Sequence, residues 1–237
     1  MKILLAACNA KYIHSNLAVF NLKAYAKEYD SQVVLREYTI NQLKDDILKD
    51  IYRCHPDVVC VSCYIWNITF VRELMQDLRK ILPDVPFWAG GPEVSYDAET
   101  FLGKNPAFNG VMVGEGEETF LELVKHYVDG SVILEETRGL VYRKADGALQ
   151  NNGWRQLMDL SKVPFAYENL EDFENRIIYY ESSRGCPFSC SYCLSSIDKK
   201  LRFRDINLVK KELQFFLDHK VPQVKFVDRT FNCKHDH

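Results

Sequence analysis

The first half of the sequence alternates short β-branched runs with longer amphipathic segments, from Met1 to about Lys125. The run "DVVCVSCYI" is apolar almost throughout, which is typical of a strand buried on both faces. The segment "TFVRELMQDLRKIL" carries apolar residues at helical spacing and stops before Pro83. Five such strand and helix units predict a parallel sheet with helices on both faces, so we expect a flavodoxin-like, doubly wound α/β domain over residues 1–130.

After Gly130 the alternation gives way to a different pattern. The segment "GLVYRKADGALQ" has two short strand-like runs around Asp146 and Gly147, a turn pair that predicts a hairpin. A stretch rich in turn formers and acids follows, and we assign residues 131–175 to the hairpin and a linker. Residues 176–237 have the pattern of a strand, a cysteine loop, a helix and a strand, which indicates the beginning of a second domain.

The overall composition argues against several classes of protein. The formal net charge of the 237 residues is -3 and no long basic tract is present, so charge does not indicate a nucleic acid partner, although a local basic patch stays open. No apolar run reaches the length of a membrane span, and the amino-terminal one is too short for a secretory signal. We therefore expect a cytoplasmic protein with no membrane partner, in which a few cysteines serve metal or reactive chemistry.

Ligands of doubly wound sheets bind beyond the carboxyl ends of the strands, where four predicted loops carry glycine or polar residues. Paired glycines let a large flat ligand approach the backbone, whereas acids after the fifth strand argue against a nucleotide phosphate. The candidate ligand-binding residues in these loops are His14, Trp66, Asn67, Gly90, Gly91, Pro92, Glu93, Gly114, Glu115 and Gly116. Alternatively, each glycine only shapes a turn, the tryptophan belongs to the core, and the histidine is a turn residue or a metal ligand.

Three cysteines lie close together in "SSRGCPFSCSYC": Cys186, Cys190 and Cys193. A structural zinc site needs four ligands, and this loop offers only three. Three thiolates leave one coordination position open, which is what a catalytic iron–sulfur cluster needs in order to bind a substrate. Tyr192 adds an aromatic ring immediately before the last cysteine, where a purine could rest. The spacing therefore predicts an iron–sulfur site with an open iron.

At these residues the sequence resembles the radical S-adenosylmethionine (SAM) superfamily, whose signature CxxxCxxC is matched by the three cysteines. The predicted strand ends "GGPEVS" and "GEGEET" resemble the cobalamin-binding subgroup of that superfamily. The resemblance implies a doubly wound domain of the cobalamin-binding type, followed by the start of a radical SAM partial βα barrel. It also implies a 4Fe-4S cluster on the three thiolates, whose fourth iron chelates SAM and whose electron cleaves it to methionine and a 5′-deoxyadenosyl radical.

The same resemblance implies roles for further residues. Tyr192 would border the adenine of SAM, and Asp228 and Thr230 would face its methionine amino end. Cobalamin would lie over the loops after strands one, three, four and five. The pattern DxHxxG is absent, which favours a contact role or none for His14 over a bond to cobalt. The implied function is an enzyme that methylates or rearranges an unidentified substrate and takes electrons from a flavodoxin-type or ferredoxin-type donor.

Two other functions stay open at this stage. A methylthiotransferase acting on RNA would need a second cluster, for which Cys8, Cys54, Cys60 and Cys63 are available, but the last two fall on a buried strand and are predicted core residues. A non-enzymatic module that binds cobalamin or another small molecule would hold structural zinc at the cysteine loop. A full βα barrel takes roughly 250 residues and only ~60 follow the linker, so we expect a fragment that does not complete the radical site alone.

Overall fold

The computed structural model describes residues 1–197 and 200–233, which form two compact units. Unit 1 comprises Met1–Tyr12 and Ala18–Leu157, and unit 2 comprises Ile13–Leu17 with the described residues from Met158 onward. The domain limits predicted at residues 130 and 175 stay predictions, and the boundary between the units falls between them. Every helix within the described residues is too short or too polar to cross a lipid bilayer.

A seven-stranded sheet forms the centre of unit 1. Its strands are β1 (Ile3–Asn9), β2 (Val33–Thr39), β3 (Val58–Ser62), β4 (Phe87–Gly90), β5 (Gly110–Met112), β6 (Leu140–Arg143) and β7 (Leu149–Asn151). They lie in the order β2-β1-β3-β4-β5-β6-β7, with the first five parallel and the last two added antiparallel. The order of the parallel strands is that of flavodoxin-like sheets, so the predicted fold class is confirmed. The predicted hairpin is β6 and β7, and it extends this sheet.

Six helices accompany the sheet of unit 1: α1 (Leu17–Tyr25), α2 (Lys44–Cys54), α3 (Ile68–Ile81), α4 (Pro92–Ser95), α5 (Ala98–Lys104) and α6 (Glu117–Val128). Alternate residues of β1 point to opposite faces. Leu4 and Ala6 belong to a core cluster with residues of α2, α3, α4 and α5, whereas Ile3 and Leu5 belong to another with residues of α1 and α6. Because both faces are covered, the central strands are apolar throughout rather than alternating with polar residues.

The helix α3 illustrates how the local sequence sets one element. Val71, Leu74, Met75 and Leu78 recur at helical spacing and are all buried. Burying each such side chain contributes about 1.5–3 kcal/mol. The helix ends at Ile81 because a following proline lacks an N–H group and disfavours helical geometry in the residue before it.

Unit 2 contains β8 (Ile178–Tyr180), β9 (Ser183–Arg184), β10 (Arg202–Phe203), α7 (Ile206–Asp218) and β11 (Val224–Phe226). The strands β8 and β11 pair in parallel with α7 between them in the chain, which is one βαβ crossover. The strands β9 and β10 form an antiparallel pair on either side of the cysteine loop. The order of strand, helix and strand predicted for the start of a barrel is therefore confirmed.

A short segment from early in the chain belongs to unit 2. The N–H of Ile177 donates to the carbonyl of Ile13 at 2.8 Å, and the hydroxyl of Ser15 donates to the carbonyl of Ile177 at 2.8 Å. The guanidinium of Arg176 donates to the carbonyl of His14 at 2.7 Å. These hydrogen bonds fix Ile13–Leu17 beside the amino end of β8.

Candidate functional site

Large apolar side chains are exposed around the carboxyl ends of the parallel strands of unit 1. We call this group the carboxyl-edge surface, and its members are Tyr12, Ile65, Trp66, Tyr96 and Trp154. Ile65 is 80% exposed and Trp66 is 49% exposed, although both follow a fully buried strand. Single exposed apolar residues are ordinary, whereas several at one edge of a sheet indicate a binding surface.

Asn67, which is 1% exposed, anchors the loop that carries Trp66 through hydrogen bonds to backbone groups. The side-chain amide of Asn67 donates to the carbonyl of Cys8 at 2.9 Å and to that of Ser62 at 3.1 Å, and its oxygen accepts from the N–H of Tyr64 at 2.8 Å. Tyr64 stacks on Trp66 with ring centroids 4.4 Å apart. The amide of Asn67 is engaged by backbone groups, so this residue positions the loop, and its predicted contact with a ligand stays a prediction.

The glycine pair after β4 serves the packing of two strands. Gly91 has a φ of 114°, and a Cβ at this position would lie 2.5 Å from the carbonyl oxygen of Cys63. The N–H of Cys63 also donates to the carbonyl of Gly90 at 2.7 Å. Pro92 begins α4, and Glu93 lies in its first turn. Gly91 is therefore required by the close approach of β3 and β4, which agrees with the alternative that this glycine only shapes a turn. Contact of the glycine pair with a ligand stays a prediction.

The glycines after β5 have two different surroundings. The N–H of Gly114 donates to the hydroxyl of Ser95 at 3.2 Å, and that hydroxyl donates to the carbonyl of Gly91 at 2.8 Å. Ser95 thus links the ends of β4 and β5. Gly116 precedes α6, and a Cβ there would lie 3.1 Å from Cδ2 of Leu22. Glu115, between the two glycines, is half-buried.

His14 lies in unit 2, where its Nδ1 is 2.6 Å from the hydroxyl of Tyr179. Its backbone carbonyl is the acceptor for Arg176 described above. The segment around His14 is tied to β8, and contact of His14 with cobalamin stays a prediction.

The cysteine loop follows β9 and is mostly exposed. Cys190 is exposed, and Cys186 and Cys193 are half-buried, with Tyr192 91% exposed between them. Gly185 turns the chain with a φ of 93°, and the N–H of Cys193 donates to the carbonyl of Cys190 at 3.1 Å. Within residues 1–197 and 200–233, no three His, Cys, Asp or Glu side chains converge closely enough to hold a metal ion.

Hydrogen bonds join residues on the two sides of the cysteine loop, and we call Ser182, Arg204 and Asp228 the stem of this loop. The N–H of Ser182 donates to Oδ1 of Asp228 at 2.8 Å, and the hydroxyl of Ser182 donates to Oδ2 of the same carboxylate. The carbonyl of Ser182 accepts from the N–H of Arg204 at 2.9 Å. Thr230, just beyond Asp228, lies with its Oγ1 3.9 Å from Sγ of Cys186. The structure thus brings together Asp228, Thr230 and the first cysteine of the loop.

A buried ion pair supports the stem from α7. Nε and Nη2 of Arg204 donate to the carboxylate of Glu212 at 2.9 and 2.5 Å, and both side chains are 7% exposed. The hydroxyl of Tyr180 also donates to Glu212 at 2.6 Å. Burial and this hydrogen bond to a carboxylate raise the pKa of Tyr180 far above its usual value. The side chain of Arg204 therefore connects the end of β10 to α7 within unit 2.

In unit 1, all of which is described, no three cysteine thiols lie close enough together to hold a metal ion. Cys8 and Cys63 belong to the core cluster on one face of the sheet, and Cys60 belongs to the cluster on the other face. Burial raises the pKa of the Cys8 thiol from 9.0 to about 12 and raises the pKa values of Cys60 and Cys63 as well. The prediction that Cys60 and Cys63 are core residues is confirmed. A methylthiotransferase, which would need three of these thiols together, is not supported by this arrangement.

Sequence reasoning missed part of the carboxyl-edge surface. Tyr12, Ile65, Tyr96 and Trp154 were not among the predicted site residues, and Trp154 comes from the segment that was assigned to a hairpin and linker. The available signal was an aromatic or large aliphatic residue just after a predicted strand end. For Trp154 the signal was weaker, because its position depends on how β6 and β7 pair with the rest of the sheet.

Comparison with known families and proteins adds to this geometry. A family model described as the B12 binding domain matches residues 3–124. The cobalamin-dependent radical SAM methyltransferase TokK of Streptomyces tokunonensis is 27% identical over 231 residues, which cover 89% of this chain and 33% of TokK. The 2-(S-pantetheinyl)-carbapenam-3-carboxylate methyltransferase of Streptantibioticus cattleyicolor is 26% identical over 188 residues, covering 74% of this chain and 28% of that protein. The chain thus spans about a third of the length of these curated relatives.

A solved structure shares the fold over nearly the whole chain. The cobalamin-dependent SAM radical enzyme OxsB, with aqua-cobalamin and SAM bound, superimposes with a TM-score of 0.78 at 19% sequence identity. The match covers 98% of this chain and 34% of OxsB. At this identity the likeness establishes the fold.

Proposed function

The chain belongs to the family of B12-binding domains, and from that premise we propose that it binds cobalamin at the carboxyl-edge surface of unit 1. We further propose that unit 2 carries the iron–sulfur site of a radical SAM enzyme, and that the whole protein transfers a methyl group. The acceptor of this methyl group is an unreactive carbon of the substrate.

The carboxyl-edge surface is the observation that supports cobalamin binding by unit 1. Its exposed rings and the aliphatic side chain of Ile65 lie around the carboxyl ends of the parallel strands, which is where doubly wound sheets bind ligands. Covering apolar surface of this kind contributes roughly 25 cal/mol for each Å² removed from water. A corrin macrocycle is broad and flat enough to cover several of these side chains at once, whereas a small metabolite is not. Glu115 at this edge disfavours a purely phosphate-based ligand.

The donor set of unit 2 fits a 4Fe-4S cluster. Three cysteines on one short loop could supply three thiolates, the number that leaves one iron of such a cluster open. A cluster bound in this way supplies an iron with an open position for SAM and the electron that cleaves it. Cys186, Cys190 and Cys193 would hold the cluster, and the exposed ring of Tyr192 would border the adenine.

The stem residues would position the cysteine loop that holds the cluster. Asp228 holds Ser182 through both carboxylate oxygens, and Thr230 lies beside Cys186. We propose that these contacts fix the direction in which the loop leaves β9. A direct contact of Asp228 or Thr230 with the amino end of SAM would use lone pairs that these hydrogen bonds leave available.

The reaction and the redox partner are proposed for the whole protein. The two curated relatives above are both named as methyltransferases, which favours methyl transfer over rearrangement. The electron would come from a flavodoxin-type or ferredoxin-type donor. The remaining alternative, a binding module with structural zinc, predicts zinc on the cysteine loop instead of iron and sulfide.

Anaerobic reconstitution with iron and sulfide separates these alternatives. We expect the full chain to gain the absorbance of an iron–sulfur cluster and, after reduction, a paramagnetic resonance signal that changes when SAM is added. Cys190→Ala should lose both signals and keep cobalamin binding. Cys54→Ala, in a half-buried cysteine at the end of α2, is the matched control and should keep both signals. Stoichiometric zinc with no iron signal in the parent chain would contradict the radical SAM proposal.

A further inference from the structure

We propose that Trp154 is part of the cobalamin-binding surface, although it lies outside residues 3–124 that match the B12-binding family. This inference rests on the cobalamin binding proposed above and deepens it, because it assigns a cofactor contact to the segment that follows the β6 and β7 hairpin. It predicts that the exposed part of the indole becomes covered when cobalamin binds.

The pairing of the hairpin determines where Trp154 lies. Leu140, at the start of β6, pairs with Met112, at the carboxyl end of β5. After β7 the N–H of Asn152 donates to the carbonyl of Leu140 at 3.0 Å, and the carbonyl of Gly153 accepts from the N–H of Gly139 at 2.9 Å. The chain therefore returns to the carboxyl end of β5 immediately before Trp154.

The indole of Trp154 lies directly against Gly114, which follows β5. A Cβ at Gly114 would be 3.1 Å from Cε3 and 3.2 Å from Cζ3 of the indole, so only glycine allows this approach without displacing the ring. Gly114 is in turn linked to the end of β4 through Ser95. Trp154 thus stands on the same loops at which cobalamin binding is proposed.

The ring is available to a ligand on its outer side. Trp154 is 49% exposed and lies beside Tyr96, with ring centroids 5.3 Å apart. Two adjoining aromatic rings that are both about half exposed give an apolar wall that a flat macrocycle can cover. The indole N–H adds one hydrogen-bond donor, which suits a ligand rimmed by amides such as cobalamin.

Equilibrium dialysis of the full chain against aquacobalamin tests the assignment. We expect Trp154→Ala to weaken cobalamin binding about tenfold, because the loss of one aromatic contact is of that size, and Trp154→Phe to restore most of the affinity. Tyr52→Ala is the matched control. Tyr52 is 48% exposed and also contacts an aromatic ring, that of His55, but it lies on α2 close to the amino end of β3. Its removal should leave the affinity unchanged.

Hydroxyl-radical footprinting of the unmutated chain supplies a readout that does not depend on the folding of a variant. Oxidation of Trp154 should fall severalfold when aquacobalamin is bound, while oxidation of Tyr52 stays constant. Parent-like affinity in Trp154→Ala together with unprotected Trp154 would overturn this inference and leave the proposed cofactor standing. Absence of cobalamin binding by the parent chain would overturn both.

Discussion

Asp228 and Ser182 join the ends of two neighbouring strands of unit 2 through one carboxylate. The N–H of Ser182 donates to Oδ1 at 2.8 Å and its hydroxyl donates to Oδ2. Ser182 lies 3% exposed just before the cysteine loop, and Asp228 lies just after β11. The position of the loop therefore depends on a residue that is distant in the sequence.

Replacing Asp228 tests whether it positions the loop. Asp228→Ala leaves the buried N–H of Ser182 without an acceptor, which costs about 1–3 kcal/mol. We expect a lower urea midpoint and less iron bound for each chain after reconstitution. Asp228→Asn keeps an acceptor for the N–H and should recover most of both. If Asp228 instead only contacts SAM, Asp228→Ala will bind a full complement of iron, keep the parent urea midpoint and lose SAM affinity.

Removing the charge of Glu212 tests the buried ion pair. Glu212→Gln leaves the guanidinium of Arg204 buried without a counter-charge, and breaking a buried pair in this way costs about 3–5 kcal/mol. Urea unfolding of the full chain should show this loss in the transition of unit 2. Asp46→Asn breaks the exposed pair with Lys49, whose side chains are 65% and 63% exposed, and should cost less than about 1 kcal/mol. Equal effects of the two substitutions would contradict the assigned role of Arg204.

The buried thiol of Cys8 makes stability fall at alkaline pH. Its pKa is 9.0 when unfolded and about 12 in the folded chain, because burial penalises the thiolate. The folded state therefore holds the proton that the unfolded state releases, so this stabilisation is complete below pH 9.0 and is lost as the pH rises toward about 12. The slope is about 1.4 kcal/mol for each pH unit in that window.

The measurement is urea unfolding of the parent and of Cys8→Ala from pH 7.5 to 10.5. The parent should lose more stability than the variant over the alkaline part of this range. Parallel curves for the two proteins would show that the thiol of Cys8 is not protected by burial.

Substituting Asn67 tests how the loop of Trp66 is held. Asn67→Ala removes the donors to the carbonyls of Cys8 and Ser62, and leaving such buried groups unpaired costs about 1–3 kcal/mol. We expect lower stability and weaker cobalamin binding, since the loop loses its support. Gln214→Ala, which removes an exposed hydrogen bond to the carboxylate of Asp218 on α7, is the control. Cobalamin affinity that is unchanged in Asn67→Ala would show that the position of Trp66 does not matter for the cofactor.

Much of unit 1 was predictable because its signals are local. The continuous apolar run of β3 and the spacing of Leu74 and Leu78 in α3 each report a buried face directly. The strand before the cysteine loop and the helix after it were predictable for a similar reason, whereas the coordination of a metal by its three thiols stays a prediction.

The relationships that sequence reasoning did not anticipate are those fixed by contacts over long sequence distances. His14 was grouped with the loops of the first sheet, but the hydrogen bond between Ile13 and Ile177 draws its segment into unit 2. Asn67 resembles an exposed loop residue in the sequence, and only the folded chain shows the carbonyl of Cys8 beside it. Trp154 reaches Gly114 only because β6 pairs with β5. None of these relationships has a local periodicity that would reveal it.

Cobalt content after incubation with aquacobalamin and desalting tests the central proposal most directly. A cobalamin-binding domain of this family predicts about one cobalt for each chain, retained by the parent protein and by Cys190→Ala alike, because the cofactor and the cluster use different residues. A well-folded parent chain that retains no cobalt would contradict the account.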